Sequence, residues 1–174
     1  MKRIIPISLL LFFALSATLL PAQILINKAN QDTTGNPQDT LSLFFMAKDG
    51  ASNLIEVGNT WPSNDSEVIL ITKLNYSLTQ LWQVRIPSPS TKRFIATNMD
   101  ISGGYVYVCA SPFDSVNSKS TFVTYKISDS TGAIIWSKQY IPSYAGYGVA
   151  AVVREDGVGN VYVSGTEQIS SSGY

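Results

Sequence analysis

The 174-residue chain contains no histidine. That absence takes imidazole out of any mechanism, so Ser-His-Asp and Cys-His catalysis, histidine acid–base work and most zinc sites lose a required group. Cysteine is nearly as scarce. Cys109 stands alone, so no disulfide can form within one molecule. Its setting, Tyr105-Val106-Tyr107-Val108-Cys109-Ala110, reads as a strand carrying a small buried thiol, and no Lys or Arg lies close enough in sequence to activate it. An excess of charge of either sign is also missing, because 12 Lys+Arg balance 12 Asp+Glu. No basic face therefore marks a nucleic-acid partner. Neither Gly-x-x-x-x-Gly-Lys-Ser/Thr nor Gly-x-Ser-x-Gly occurs, which leaves phosphate-loop and α/β-hydrolase chemistry without their defining residues. No stretch after the N-terminus sustains a period of 3.6 residues. What is present, 45% hydrophobic and 14% charged residues, suits a globular domain and argues against disorder or a polytopic membrane protein.

The N-terminus is of a different kind. Lys2 and Arg3 precede an apolar run from Ile4 to Leu20, followed by Pro21-Ala22-Gln23. A positive start, a short apolar run and a small residue at the cut predict a secretory signal peptide over residues 1–22. The alternative is an uncleaved anchor, since the run is at the lower edge of what spans a bilayer. Cleavage predicts a protein that is extracellular, at the cell surface or periplasmic, touching membrane only through the signal peptide before it is removed. Residues 23–40, rich in Asn, Gln, Asp, Thr, Gly and Pro, read as a polar leader or linker.

From Leu41 the texture becomes short runs of β-branched and aromatic residues bounded by Gly, Asn, Asp, Ser or Pro. These predict strands at 41–47, 53–58, 68–74, 80–86, 94–98, 105–110, 121–127, 133–140, 148–153 and 160–165, and hence an all-β class. The runs also repeat. Val68 to Trp82 aligns with Ser120 to Trp136, matching Lys73 with Lys126, Leu74 with Ile127, Trp82 with Trp136 and Pro87 with Pro142. A second strip recurs three times: Asp49 to Gly58, Asp100 to Ala110, and Asp156 to Gly165. A period of about 50 residues holding four short strands predicts propeller blades.

These residues carry a resemblance. Lys126-Ile-Ser-Asp-Ser-Thr-Gly-Ala-Ile-Ile-Trp136, followed by Asp156-Gly-Val-Gly-Asn-Val-Tyr-Val-Ser-Gly165, resembles the bacterial β-propeller repeat family abbreviated SBBP. The first two copies depart from that pattern: Gln80 precedes Leu81-Trp82 where a turn glycine is expected, and Ser102-Gly103-Gly104 replaces the Gly-Asn pair. The resemblance implies a partial β-propeller of four-stranded antiparallel blades, about two and a half of them, with blades at 41–87 and 93–142 and an incomplete one at 147–174. Closed propellers take about four to eight blades. The count therefore predicts an N-terminal fragment of a longer protein, with a ring assembled from several copies as the alternative.

Trp82 and Trp136 hold equivalent repeat positions and are expected to pack between blades. Gly58, Gly165, Asn160 and Tyr162 mark the other repeated strip. Trp61, Tyr144 and Tyr147 fall on connections, where aromatics form rigid platforms for a protein or carbohydrate ligand or pack over blade ends. The Asp-bearing turns at 128–132 and 155–160 lack the alternating oxygens and distal Glu of a calcium loop, so no metal is expected. No cofactor is expected either, and the carboxylates offer too many pairs to select a glycosidase couple. The reading is a secreted, non-catalytic binding or scaffolding protein at the cell envelope or outside the cell. Two alternatives share the fold: a quinoprotein-type (PQQ-like) propeller enzyme, whose Asp-x-x-Thr-Gly-x-x-x-Trp turn Asp129 to Trp136 resembles with a one-residue difference, and an outer-membrane assembly factor.

Overall fold

Short apolar runs of β-branched residues cannot satisfy their backbone groups alone, so each must find a neighbour, and the shortest route is a hairpin through the Gly, Asn and Asp punctuation. A computed structural model describes residues 40–61, 67–88, 93–114, 119–141 and 148–167. The signal segment, nearly all of the polar leader, Tyr144 and Tyr147 lie outside them.

Within the described residues every element is a strand. The first unit is the sheet β1 (Thr40–Lys48), β2 (Leu54–Trp61), β3 (Val68–Leu74) and β4 (Gln80–Pro87), an antiparallel meander in chain order. The second is β5 (Arg93–Ser102), β6 (Tyr105–Asp114), β8 (Phe122–Ser128) and β9 (Ile134–Tyr140), with the two-residue β7 (Lys119–Ser120) paired to the end of β6. A third begins with the hairpin β10 (Gly148–Glu155) and β11 (Val161–Glu167). The sheets are separate, and none closes on itself. All ten expected strands are present, several of them longer than expected. β7 is additional.

The repeat extends to irregularities of register. Between the first two strands of each unit one residue is unpaired: Phe44, Thr97 and Ala151 are skipped, each one position beyond the partner of Gly58, Ala110 and Gly165 respectively. Between the last two strands, Leu81 and Ile135 are skipped just after Lys73 pairs with Trp82 and Lys126 with Trp136. A bulge bends its strand and sharpens the local twist, so bulges at equivalent places give the sheets a common curvature. The one-residue drift between the Lys–Lys and Trp–Trp offsets sits in the turn: Leu74 pairs with Gln80, whereas Ile127 pairs with Ile134 across one more residue.

Three hairpin turns share one chemistry. Asp49, Asn75 and Asp156 each accept backbone N–H groups two and four residues on, at 2.7–3.0 Å, through a single side-chain oxygen. This closes five-residue loops whose fourth residue has positive φ: Ser52 at 67°, Leu78 at 60° and Gly159 at 102°. Leucine is strained there because its Cβ crowds the following carbonyl. Replacing Leu78 by glycine should raise the unfolding free energy by about 0.5–1 kcal/mol, the relief of αL strain less the entropy of a glycine, as measured by urea titration. The second unit turns between β5 and β6 through Gly103 and Gly104, at φ 58° and 78°. Asp100 therefore lies within β5, not in a turn equivalent to those of Asp49 and Asp156.

The main core forms where the second unit's sheet packs on the first. Ile55, Val57, Ile69, Ile71 and Ile86 meet Phe94, Ala96, Val106, Val108, Val123, Tyr125 and Ile127, each large side chain contributing about 1.5–3 kcal/mol by leaving water. A smaller core, Tyr107 and Cys109 against Ala150 and Val153, seats the third unit's hairpin on the opposite face of the second.

Candidate interaction surface

The strongest polar feature joins the first two units. Lys73, on the buried strand β3, directs its ammonium at Asp49 Oδ2 (2.7 Å), Asp129 Oδ1 (2.6 Å) and the Asp129 carbonyl (2.9 Å), so all three donors are used. Asp49 belongs to the same unit, and Asp129 to the β8–β9 turn of the next. Burial opposes ionisation of both Lys73 and Asp49. The hydrogen bonds and charges outweigh it, holding Lys73 above the ordinary lysine range and bringing Asp49 down to about 2. Trp82 Nε1 donates to the same Asp129 carbonyl at 2.8 Å. The turn lies flat against that indole: a Cβ on Gly132, whose φ is +74°, would stand 3.0 Å from the ring. Asp129 is therefore held by three hydrogen bonds from two side chains, and glycine is needed where the ring passes beneath.

A second tie recurs at each joint. Ala96 N–H on the first strand of the second unit donates to Asn59 Oδ1 (3.2 Å), and Ala150 N–H on the first strand of the third donates to Ser111 Oγ (3.0 Å). Asn59 and Ser111 each follow the equivalent residues Gly58 and Ala110. The Asn59 amide also donates to the Phe94 carbonyl, and Glu67 Oε2 accepts Phe94 N–H at 3.0 Å. Asn98 and Asp100 accept the N–H groups of Val153 (3.3 Å) and Glu155 (2.8 Å). Side chains of one unit thus satisfy the edge backbone of the next, which is how a stack of sheets avoids exposed edges between its members.

The face of the second unit that corresponds to the buried face of the first is only partly covered. Ile69, Ile71 and Ile86 in β3 and β4 are 0%, 0% and 4% exposed, whereas Tyr140, the register equivalent of Ile86, is 48% exposed. Phe122 and Thr124 replace Ile69 and Ile71. Between these strands and β11 lies a cleft of about 440 Å³, walled by Phe122, Lys138 and Tyr140 on one side and Gly165 and Glu167 on the other. Phe122 and Tyr140 pack with ring centroids 5.3 Å apart and planes tilted by 43°, and the Tyr140 hydroxyl donates to Glu167 Oε2 at 3.0 Å. Lys126 lies at the far end of this face with its ammonium 3.8 Å from the Tyr105 ring centroid. It has no carboxylate within 4 Å among the described residues.

Each residue singled out in the sequence has a definite place. Trp82 is part-buried between the first two units. Trp136 is part-buried against Tyr107, with ring centroids 6.5 Å apart. Gly58 is buried in β2, while Gly165 faces the Phe122 ring so closely that a Cβ would meet it at 2.6 Å. Asn160 closes the Asp156 turn through its amide at 2.7 Å, and Tyr162 beside it is 61% exposed. Trp61 ends β2, its backbone paired with Thr40, and its side chain lies outside the description, as do Tyr144 and Tyr147. The Lys73–Asp129 clasp is the feature that the sequence did not disclose, because its partners are 56 positions apart.

Several of the groups with chemical capacity are engaged in structure. Asp156 and Glu155 direct their oxygens into their own turn, accepting N–H groups of Val158, Asn160, Gly157 and Gly159. Among the described residues no three His, Cys, Asp or Glu converge on a metal position. Cys109 is fully buried beside Thr97 Oγ1 (3.3 Å), and burial raises its pKa. Its thiol should not react with a water-soluble disulfide reagent in native protein and should titrate fully in denaturant. Rapid native labelling would show an accessible thiolate instead. Comparison with known proteins finds no matching family, curated protein or solved structure.

Proposed function

We propose that the chain is a secreted β-propeller repeat protein of the SBBP type, serving a non-catalytic binding or scaffolding role at the cell envelope or outside the cell. One observation carries the reading: buried Lys73 and Asp49, with part-buried Asp129, hold one sheet to the next, while apolar and aromatic side chains along and beside β9 and β10 remain exposed. They include Ile134, Ile135, Tyr140, Ile141 and Val149, each more than 40% exposed. Patches of this kind mark interaction sites. The recurring bulges and edge ties between successive sheets support the propeller part of the reading.

The quinoprotein-type alternative rests on the Asp129 to Trp136 segment. The aspartate and glycine of that segment already have a mechanical use, docking on Lys73 and Trp82, so the motif requires no cofactor to account for it. Expression with the native N-terminus in a bacterial host tests the proposal. The expected product is found outside the cytoplasm, begins near Gln23 and shows no quinone absorbance after purification. A cytoplasmic product beginning at Met1 would overturn the export reading, and a quinone band would overturn the non-catalytic one.

A further inference from the structure

The clasp between the first two units has a second half-site that no described turn occupies. Lys126 pairs with Trp136 across β8 and β9 as Lys73 pairs with Trp82 across β3 and β4, and each pair is followed by a bulge, at Ile135 and Leu81. In the first unit this pair receives the turn of the next unit, Asp129 on the ammonium and indole N–H and Gly132 on the ring face. In the second unit Lys126 rests on the Tyr105 and Tyr107 rings, 3.8 and 5.5 Å from their centroids.

The surroundings agree that a partner belongs there. The inner hairpin of the third unit, β10–β11, already sits on the second unit as β5–β6 sits on the first, with Ala150 tied to Ser111 as Ala96 is to Asn59. The neighbouring cleft is lined by Phe122, Thr124, Lys138 and Tyr140, the register equivalents of Ile69, Ile71, Val84 and Ile86, which the second unit covers. By register the position of Asp49 is taken by Ser102 in the second unit, just before the glycine turn. Among the described residues Lys126 therefore has no intra-unit carboxylate, and an incoming aspartate would supply one.

The geometry points to one occupant: the outer hairpin of a third unit, continuing β10–β11, whose turn carries an aspartate for Lys126 and a glycine for the face of Trp136. This inference rests on the propeller-repeat reading above. A second copy of the chain fits less well. Its first-unit turn has Tyr76 at the position of Asp129, by the register of Leu74 with Gln80 and Ile127 with Ile134, and so brings no carboxylate. Its second-unit turn is already held by its own Lys73.

The test extends the full chain at Tyr174 with a second copy of residues 120–141, which places the new Phe122 as far beyond Gly165 as Phe122 lies beyond Ala110. Two readouts are taken: solvent exposure of Trp136 by 5-fluorotryptophan NMR, assigned with Trp136→Phe, and the acetylation rate of Lys126 by mass spectrometry. The expected result is a shielded Trp136 and at least a fivefold slower Lys126, with the lysine rate restored when the added copy carries Asp129→Asn. Shielding of Trp136 with an unchanged Lys126 rate, or a rate indifferent to that substitution, would overturn the inference while leaving the repeat reading intact. No shielding at all would overturn both. Concentration-dependent shielding in the unextended chain would assign the face to a second copy and would also overturn the inference.

Discussion

Replacing Lys73 by methionine is expected to lower the unfolding free energy by about 3–5 kcal/mol, the usual cost of leaving a buried charge without its partner. Methionine fills a similar length of apolar space, so the loss reports charge more than volume. Asp49 is left with 1% of its side chain exposed and Asp129 with 19%, and the inter-unit hydrogen bonds from the ammonium disappear. Trp82 still donates to the Asp129 carbonyl, so the second unit should loosen on the first while its own sheet persists. Asp129→Asn should cost less, because Lys73 then keeps Asp49 and a neutral acceptor. The pH dependence separates the two variants. Asp49 has a folded pKa of about 2, below the ordinary aspartate value of 3.8, so its contribution is present above the unfolded value and is lost as pH falls through about 2. Lys73→Met should reduce that acid loss, since only the hydrogen bonds from Ala51 and Asn53 then hold the Asp49 carboxylate, and urea titrations from pH 2 to 7 measure it. Equal stability of wild type and Lys73→Met would mean that the clasp holds nothing.

The second large effect has the opposite sign. Glu56, on β2, is 2% exposed, and its Oε1 has no hydrogen-bond partner among the described residues. Burial pushes its pKa up from 4.5 to about 7. A carboxyl group whose folded pKa lies above its unfolded value destabilises the fold once ionised. Stability should therefore fall as pH rises from about 4.5 to 7 and level off above, by no more than about 3 kcal/mol. Glu56→Gln should remove this slope, gaining most of that amount at pH 8 and little at pH 4.5. The repeat itself indicates the apolar solution: Val108 occupies the equivalent place in the second unit, two residues before Ala110 as Glu56 is before Gly58, and is fully buried. A pH-independent difference between Glu56→Gln and wild type would show that the carboxyl is already paired or hydrated.

Strand positions were legible in the sequence because apolar runs, β-branching and Gly/Asn/Asp punctuation are local signals, and the repeat reinforced each of them. β3 shows the limit of periodicity: Val68–Leu74 is buried along its whole length, so it was found by its continuous apolar run and not by alternation. β7 was not legible, since Lys119–Ser120 has no pattern and exists only because the end of β6 needs a partner. Asp100 departs from its expected place in the repeated strip for a related reason. A two-glycine turn closes β5–β6 in fewer residues than the Asp turns do, which moves that aspartate back into the strand, where it serves the next unit through Glu155 N–H. Alignment of Lys73 with Lys126 identified equivalent positions but not their partners. An inter-unit contact joins one repeat to the next, and comparing repeats with each other leaves it invisible.

Residue-resolved hydrogen exchange of the full chain tests the stacking of the units most directly. The amides of Ala96 and Ala150 are held by side chains of the preceding unit, Asn59 and Ser111. Both should exchange only through large-scale opening, with Asn59→Ala releasing Ala96 alone and Ser111→Ala releasing Ala150 alone. Exchange of both amides in the wild type as fast as in the exposed turn at Gly157 would contradict the account, since the sheets would then not be stacked through these ties.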